Sequence, residues 1–571
     1  MKKNIFLFLL IVFLSGSIFS QVSADPNEEF YSDAVNWFQK GYVSRLPQLK
    51  PYPVNVIKQM LSLVIQNGEE SEKEKAEYYY KKFFGRAFHV SSSAVYYGKI
   101  YSLEDTYKKE PERFDFSQQA LGNVGFSTDY SFSDFLGIGF DTSLSGLSSY
   151  ISDSEITPSI FSGSDFSVIE PLRFNAGDID LLLDVSGNVT FGNKNIYSSF
   201  GYNKLSYGLF PDDDLILSSS NQILNGTFNY EGEKIQYAQV FGLLGATNND
   251  CTKTNDYSFN KFFTFHSVNV PLFNGKLNIS YFEGAVFGKS FNPSFVIPIP
   301  WVIVSMADGK TESVYAGTKI EVKPVQCFSW NTELMLNDLN VKPFIKLKWN
   351  DAALRTAFKT GFTYTPLDSI ASLISVDYTL VTPYTYTFYD SQNEDYNYRS
   401  YTNFSNPIGT NLLPNSDRIT MTLNFKPKNN LKISTFSSYA RHGNQFEDLD
   451  YEDIKKLDGT AYSDTSLLHN TQNLDSAKEQ TSFLMQDDIM YTMQAGINVE
   501  YIFTSKKSSE VSIDVGYTFE FIQNDGVSNP IYSGNCTELT EENAEKMLDS
   551  WKNKLHNSYN HYFRAGAKIF F

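Results

Sequence analysis

Apolar and polar residues alternate with a period of two through most of the chain, and this pattern limits the possible folds more than any other feature. Its clearest stretch has an apolar residue at every second position: Val511, Ile513, Val515, Tyr517, Phe519 and Phe521. Successive side chains of a β-strand point to opposite faces, so the pattern predicts strands with one apolar and one polar face. Similar stretches recur down to the C-terminus, and Asn274-Gly275 is typical of a tight hairpin turn between two of them. We therefore predict an all-β fold of antiparallel strands.

Segment and turn lengths favour a transmembrane antiparallel β-barrel over a soluble sandwich. Many alternating segments reach about 10 residues, which is enough to cross a bilayer at a tilt. Short turns such as 274–275 and 426–430 alternate with long polar stretches such as 102–118 and 148–178. Barrels of the bacterial outer membrane combine short inner turns with long outer loops in this way. Pattern matching gives about nineteen candidate strands, and since single-chain bacterial barrels have even numbers, we predict about 18.

Composition excludes several other classes of protein. The formal net charge is −18, so a basic surface for nucleic acid is not expected. Aromatic residues make up 16% of the chain, which is too many for a disordered protein. Three cysteines are too few for a disulfide scaffold, and the sequence leaves open whether Cys251 and Cys536 pair.

The N-terminus has the features of a secretory signal peptide. Lys2 and Lys3 precede an apolar run over 5–14, and Val22-Ser23-Ala24 matches the small-residue rule for cleavage. The apolar run is too short to span a membrane as a helix. We predict a signal peptide over 1–24, cleaved between Ala24 and Asp25, and hence the outer membrane of a diderm bacterium.

Residues 25–88 have a helical pattern instead. Val54, Ile57 and Leu61 recur at spacings of three and four, and Ser71 and Glu74 have the spacing of a capping box. Three short helices bury only a marginal core. We predict a small helical bundle that packs against the barrel in the periplasm, as a plug or as a docking site for a partner, with the barrel itself over 89–571.

The C-terminal strand predicts how the chain is assembled. Apolar residues again occupy every second position, and the chain ends on one of them: Phe563, Ala565, Ala567, Ile569 and Phe571. This ending is similar to the terminal strand of bacterial outer-membrane proteins, which their assembly machinery reads. We predict two partners from it, outer-membrane lipid and the barrel assembly machinery, the latter through Phe571.

A series of motifs between about residues 200 and 443 occurs in a characteristic order. It comprises the glycine-rich stretch GYNKLSYG at 201–208, His266, Glu283 in SYFEGAVFGKSFNP, Glu333 before Asn337-Asp338, Asp377-Tyr378-Thr379 before PYTY at 383–386, and Arg441-His442-Gly443. The series resembles the Wzi-type capsule-assembly family of outer-membrane proteins, although Ser267 stands where that family usually has Arg. The resemblance implies an 18-stranded barrel with a periplasmic helical bundle. It also implies a lectin-like role in holding surface polysaccharide.

These motifs give the candidate glycan-binding or lumen residues, which are His266, Glu283, Glu333, Asp338, Asp377, Tyr384, Tyr386 and Arg441. Carboxylates in or beside strands favour a polar network in the lumen, with sugar binding second and glycosidase chemistry last. The tyrosines are interpreted either as an interfacial girdle or as a surface that stacks on sugar rings. No metal-ligand spacing or cofactor motif is present, and the acidic run at 212–214 is interpreted as solvated loop charge.

We therefore predict a non-catalytic barrel of Wzi type that binds or anchors surface polysaccharide, without a cofactor and without nucleic acid. The alternative is an outer-membrane porin for small solutes, since the same strand pattern and polar lumen suit a channel. Residues 540–554 have a helical pattern inside the last long loop, with acidic residues early and lysines late. We expect this helix to cover the mouth of the barrel.

Overall fold

A computed structural model describes most of the chain, and all structural statements below concern the residues that it describes: 26, 28–85, 88–104, 111–133, 135–148, 173–177, 179–208, 210, 214–218, 222–248, 256–297, 301, 313–338, 346, 355–367, 369–386, 396–404, 406–428, 430–454, 483–504, 510–532 and 539–571. The predicted signal peptide with its Ala24–Asp25 cleavage site lies outside these residues, as do Cys251 and Cys536.

In the described part of the chain, 18 antiparallel strands form one closed barrel, which confirms the predicted fold class. Each strand pairs with its neighbours in chain order, and the last strand pairs with the first, placing Val95 opposite Gly566. Closure leaves no strand edge with unpaired backbone groups, as hydrocarbon requires. The strands are β1 Phe88–Glu104, β2 Pro111–Ser133, β3 Leu136–Leu147, β4 Ile179–Gly192, β5 Ile196–Lys204, β6 Gln222–Glu231, β7 Gln236–Thr247, β8 Tyr257–Leu272, β9 Leu277–Gly288, β10 Ser313–Val322, β11 Phe328–Asp338, β12 Arg355–Tyr364, β13 Ala371–Val381, β14 Ser416–Lys428, β15 Leu431–Gly443, β16 Ile489–Thr504, β17 Glu510–Asp525 and β18 His556–Phe570.

Short pairings supplement the barrel. Leu49–Lys50 pairs with Ser206–Tyr207, Thr402–Asn403 pairs with Asn406–Pro407, and Arg173–Ala176 pairs with the start of β4. The prediction of an outer loop at 102–118 is wrong, because β1 and β2 extend through most of this stretch and pair with each other there. Its polar residues alternate with aromatic side chains that face outward, so charge alone did not mark a loop.

The barrel wall separates an apolar outer face from a largely polar inner face. On β17, Ile513 and Val515 are 46% and 57% exposed on the outside. Their neighbours in sequence, Ser512 and Asp514, face the lumen, as does Glu520. This alternation presents an apolar surface to lipid around the ring.

Short turns join the strands at one end of the barrel, and longer connections join them at the other. At the turn between β8 and β9, Asn274 and Gly275 have φ values of 58° and 78°, the left-handed conformation that a tight hairpin turn requires. The N-terminal helices pack at this end, which we call the head end. The opposite end is called the far end.

The helical head consists of α1 Glu29–Lys40, α2 Val54–Asn67 and α3 Glu70–Phe84. Its core contains Phe30, Trp37 and Leu61 with other apolar side chains of these helices. The capping box predicted at Ser71 does not form, because α3 begins at Glu70 and its N-cap is Glu69, two residues before Ser71, with no side-chain capping bond. Among the described helices, none combines the length and the apolarity needed to cross a bilayer.

The head contacts strands on several sides of the barrel. The side-chain amide of Gln39 donates to Ser329 Oγ of β11 at 2.8 Å, and the hydroxyl of Ser267 on β8 donates to Gln48 Oε1 at 2.7 Å. Lys426 Nζ on β14 lies 3.2 Å from Glu29 Oε1. These contacts fix the head across the opening.

Asp33 links the head core to the barrel wall. Its Oδ1 lies 2.8 Å from Lys75 Nζ within the head and 3.4 Å from Lys426 Nζ of β14, and Tyr79 donates to its Oδ2 at 2.8 Å. Burial by itself raises the pKa of Asp33, but the two lysines and the hydrogen bonds outweigh burial and hold the pKa well below its usual range. The docked head therefore depends on an ionised Asp33.

We predict that acid loosens the head. A carboxyl group with a depressed pKa stabilises the folded state fully above its unfolded pKa of about 4 and loses that contribution as the pH falls toward the folded value. Protection factors of the amides in 29–84, obtained by mass spectrometry and corrected for the intrinsic pH dependence of exchange, should be constant between about pH 5 and 7 and fall below about pH 4. Asp33→Asn should lower these protection factors at neutral pH and flatten their acid dependence, and an unchanged acid profile in this variant would contradict the assignment.

A charge on the outer face of β17 should destabilise the barrel, whereas the same charge on the inner face should not. We expect Val515→Lys to lower the free energy of unfolding of the barrel in lipid vesicles by about 2–4 kcal/mol, the typical cost of lysine against hydrocarbon. Thr518→Lys, on the lumen face of the same strand, is the matched control and should have a much smaller effect. Denaturant titration followed by heat-modifiable migration in gels measures both, and equal costs would show that the two faces are misassigned.

Candidate functional site

One side of the lumen is filled by chain that leaves the barrel wall. After β5, residues 205–208, 210 and 214–217 turn inward, and residues 396–404 and 406–412 of the β13–β14 connection do the same. They pack against inward-facing apolar side chains of β6 to β13: Ile223, Ala238, Val240, Leu244, Phe263, Phe265, Phe282, Val286, Tyr315, Met335, Ala357 and Val381. We call this cluster the inner core. Its buried side chains exclude water from this side of the lumen.

A row of alternating charges crosses the wall beside the inner core. Lys319 on β10 is paired with Glu333 on β11, with Nζ and Oε1 3.7 Å apart. Lys359 on β12 is opposite Glu333 in register and lies 3.7 Å from Asp377 Oδ1 on β13. All four side chains are buried. The predicted site residues Glu333 and Asp377 therefore belong to a network in the lumen wall.

The inward segment after β5 covers this charged row. The ring of Tyr207 lies 4.9 Å from Lys319 Nζ, and the ring of Phe210 lies 4.5 Å from Lys359 Nζ. Asp214 of the same segment accepts a hydrogen bond of 2.9 Å from Ser206. Cation–π contact and burial together place the row behind the inner core, away from the open lumen.

His266 and Glu283 lie on the opposite face of the wall. They are register partners on β8 and β9, with His266 Nε2 and Glu283 Oε2 3.3 Å apart. Glu283 is on the same strand face as Tyr281, which is 46% exposed on the outside of the barrel. Yet both His266 and Glu283 are buried. The β9–β10 connection covers them with residues 289–297 and Trp301, which we call the outer flap.

The outer flap is fixed to the wall by polar contacts. The backbone N–H of Trp301 donates to Glu283 Oε2 at 2.6 Å, and the side-chain amide of Gln239 donates to the carbonyl oxygen of Val296 at 2.7 Å. The ring of Trp301 lies over the ring of His266, with centroids 3.9 Å apart. This arrangement shields a polar pair that would otherwise face lipid.

Arg441 also faces outward, near the far end of β15. Its Nε donates to Asp417 Oδ1 at 2.9 Å and its Nη2 to Asp417 Oδ2 at 2.5 Å. Tyr378 donates to the same carboxylate at 2.9 Å. The Arg441 side chain is 42% exposed. The guanidinium is thus oriented by a two-point carboxylate contact on the outer wall.

Tyr386 and Asp338 have separate environments. Tyr386 is buried in the inner core, where its hydroxyl donates to the carbonyl of Leu215 at 2.8 Å and its ring stacks on Tyr401 at 5.4 Å. Asp338 ends β11, where its backbone pairs with Arg355 after a register shift. The interpretation of Tyr386 as an open stacking surface is not supported by this burial.

Tyr384 is buried in a second cluster, at the far end. It packs with Phe446 and Trp551. Trp551 belongs to α4 Glu541–Lys552, and the Thr540 hydroxyl accepts a hydrogen bond of 3.3 Å from the Asn543 N–H at its start. The helix predicted at 540–554 is confirmed, and it packs over the far end of β15 to β17.

The lumen wall opposite the inner core is lined by small polar side chains, and sequence reasoning missed it as a site. The inward positions of β1 to β5 and of β16 and β17 carry hydroxyl and amide groups that are partly accessible: Ser91, Ser93, Asn123, Ser143, Ser145, Ser186, Asn188, Ser199, Asn498 and Thr518. We call this wall the polar side. The alternation of serine or asparagine with outward apolar residues was a signal for it, because that pattern marks a wet inner face.

Toward the far end, the inward positions of β1 to β4 form a buried apolar cluster of Tyr97, Leu121, Leu147 and Leu182, and those of β16 to β18 form a buried hydrogen-bonded layer. Glu520 is 1% exposed, and it accepts hydrogen bonds from Asn560 at 2.9 Å, from Tyr562 at 2.8 Å and from Gln494. Within the described ranges, no group of three or more His, Cys, Asp or Glu side chains is placed to hold a metal ion. The accessible hydroxyl and amide groups of the polar side can therefore donate and accept hydrogen bonds.

Known proteins resemble this chain in fold and not in sequence. No protein-family model matches the chain, and no curated protein matches it in sequence. Among solved structures it is similar to Wzi of Escherichia coli, a carbohydrate-binding β-barrel of the outer membrane involved in group 1 capsule assembly. The TM-score is 0.51 at 10% identity, covering 98% of this chain and 99% of that chain. The likeness shows a shared fold.

Two Pseudomonas aeruginosa barrels also match, with lower scores. OccK9 gives a TM-score of 0.40 at 8% identity, covering 85% of this chain and 98% of that chain. OccK2, solved in complex with glucuronate, gives a TM-score of 0.38 at 7% identity, covering 84% of this chain and 96% of that chain.

We predict that Glu283 holds the outer flap closed. Glu283→Ala removes the acceptor of the Trp301 N–H and the partner of His266, contacts that are worth about 1.5–3 kcal/mol each for a charged group. Amide exchange in the peptide covering 289–301 should rise at least tenfold, while the barrel keeps its heat-modifiable migration. Glu321→Ala, on the lumen face of neighbouring β10, is the control and should leave flap exchange unchanged. Unchanged flap exchange in Glu283→Ala would exclude this role.

Proposed function

We propose that the protein is a non-catalytic outer-membrane barrel that binds surface polysaccharide, with its head in the periplasm and its far end at the cell surface. The observation that carries the proposal is the division of the lumen into the inner core and the polar side. The inner core and the docked head both lie in the path that solutes would take through the barrel. This favours a protein that retains a bound polysaccharide over one that lets solutes pass freely. The fold shared with carbohydrate-binding Wzi supports the same conclusion.

The polar side supplies the chemistry that sugars need. Its serine hydroxyls and asparagine amides both donate and accept hydrogen bonds, and the hydroxyl groups of a saccharide do the same. Asn123 already donates to Ser145 Oγ at 2.7 Å across two strands, so the groups are spaced to bridge neighbouring oxygens. The orientation follows from turn length, since short turns lie on the periplasmic side of bacterial barrels.

A catalytic role is less well supported. Glu333 and Asp377 are buried and lie close to lysines, and Glu283 is on the other face of the wall. A glycosidase needs two carboxyl groups that flank one substrate bond. These three carboxylates do not share an accessible surface.

A channel for small solutes is the alternative function. A cavity of about 920 Å³ between the head and the barrel rim favours it, because the cavity adjoins the polar side at Ser91 and Ser127. A continuous wet path along that side would conduct ions.

We predict that the purified protein binds surface polysaccharide from its own host and conducts poorly. Calorimetric titration in detergent should give saturable binding, and planar bilayers should show no steady conductance. The heat-denatured protein is the control for non-specific adsorption. Steady conductance without polysaccharide binding would reject the proposal and favour the channel.

A further inference from the structure

A cavity of about 230 Å³ lies where the polar side meets the helical head. Ser127, Asp141 and Ser186 line it from β2, β3 and β4. Lys82 of α3 and Phe570 of β18 also line it. We call this cavity the wall pocket. Since residues of both the head and the barrel line it, its shape depends on the docked head.

The wall pocket adjoins the larger cavity beneath the head. Both cavities are lined by Glu28, Lys82, Ser127, Asp141 and Phe570. A ligand that enters at the barrel rim therefore reaches the wall pocket along Ser127 and Asp141. The pocket is accessible from the head end.

The lining of the wall pocket combines two kinds of group. Hydroxyls, carboxylates and amides come from the strands: Ser127, Ser186, Asp141, Asp184, Asn203 and Gln222. Aromatic surface comes from the ring of His89, which stacks on Phe570 with centroids 5.0 Å apart and planes at 22°. Polar groups that converge beside an aromatic face suit a ring that carries hydroxyls on its edge and C–H groups on its faces.

The charges in the pocket restrict the ligand further. Carboxylates of Glu28, Asp141 and Asp184 lie in the lining with the ammonium groups of Lys82 and Lys204. The carboxylates are in excess, so an acidic sugar would meet like charge in a confined space. An uncharged sugar avoids that repulsion and still has acceptors for its hydroxyl protons.

We propose that the wall pocket binds an uncharged sugar unit of the polysaccharide, which reaches it from the periplasmic head end before the polymer arrives at the cell surface. The proposal rests on the proposed function and adds to it the location of the site and the charge of the ligand. It also places binding inside the barrel, between the head and the polar side. Tyr384, at the far end, has no part in it.

A space-filling substitution tests the location. Ser186→Trp places an indole in the wall pocket and should weaken polysaccharide binding at least tenfold in calorimetric titration. The matched control is Ser198→Trp on neighbouring β5, which faces outward between Phe191 and Phe228 and should bind as the unsubstituted protein does. Heat-modifiable migration checks that each variant is folded. If Ser186→Trp does not fold, Ser127→Trp fills the same pocket from β2.

The outcomes separate the two proposals. If the unsubstituted protein does not bind polysaccharide, the proposed function fails. If it binds and a folded pocket variant binds equally well, the wall pocket is excluded while the proposed function stands. Competition between the polysaccharide and its own fragments of equal length tests the charge of the ligand. Stronger competition by fragments that contain uronic acid than by neutral fragments would overturn the proposal that the bound sugar unit is uncharged.

Discussion

The closed ring of backbone hydrogen bonds is the constraint on which the rest of the structure depends. In hydrocarbon, an unpaired N–H or C=O group costs several kcal/mol, so a sheet can cross the membrane only when its first and last strands pair. Val95 opposite Gly566 is part of that final pairing. Closure then assigns every strand side chain either to lipid or to the lumen, and each charged residue of the wall must be accommodated on one of these two faces.

The two faces bury charge in the same physical way. Outside, the His266–Glu283 pair is covered by the outer flap, which adds the Trp301 N–H as a donor. Inside, the charged row that includes Lys319 and Glu333 is covered by the inward segment after β5. A buried charge is tolerated only when it is paired and hydrogen-bonded. The charged residues of the wall therefore depend on the outer flap and on the inward segment that cover them.

Sequence pattern predicted the parts of the structure that depend on period and turn chemistry. The alternation around Val515, the hairpin at Asn274 and the helix after Thr540 are all present. The same alternation also assigns Glu283 to the outer face, because Glu283 is two residues from Tyr281. The prediction nevertheless placed this carboxylate in the lumen, where charged residues of barrel strands are expected. The sequence pattern does not predict where the connections between strands run, because the outer flap and the inward segments have no periodic alternation.

The division of the lumen follows from where those connections go. The described inward segments pack on β6 to β13, where the wall supplies Phe263 and Phe282 as partners. Over its accessible part, the polar side offers serines and asparagines instead, which are too small and too polar to hold an apolar segment. Such groups remain partly accessible because water satisfies their hydrogen bonds. A ligand displaces that water only if it replaces those bonds, and a ring bearing several hydroxyl groups meets the condition that an apolar or singly polar solute does not.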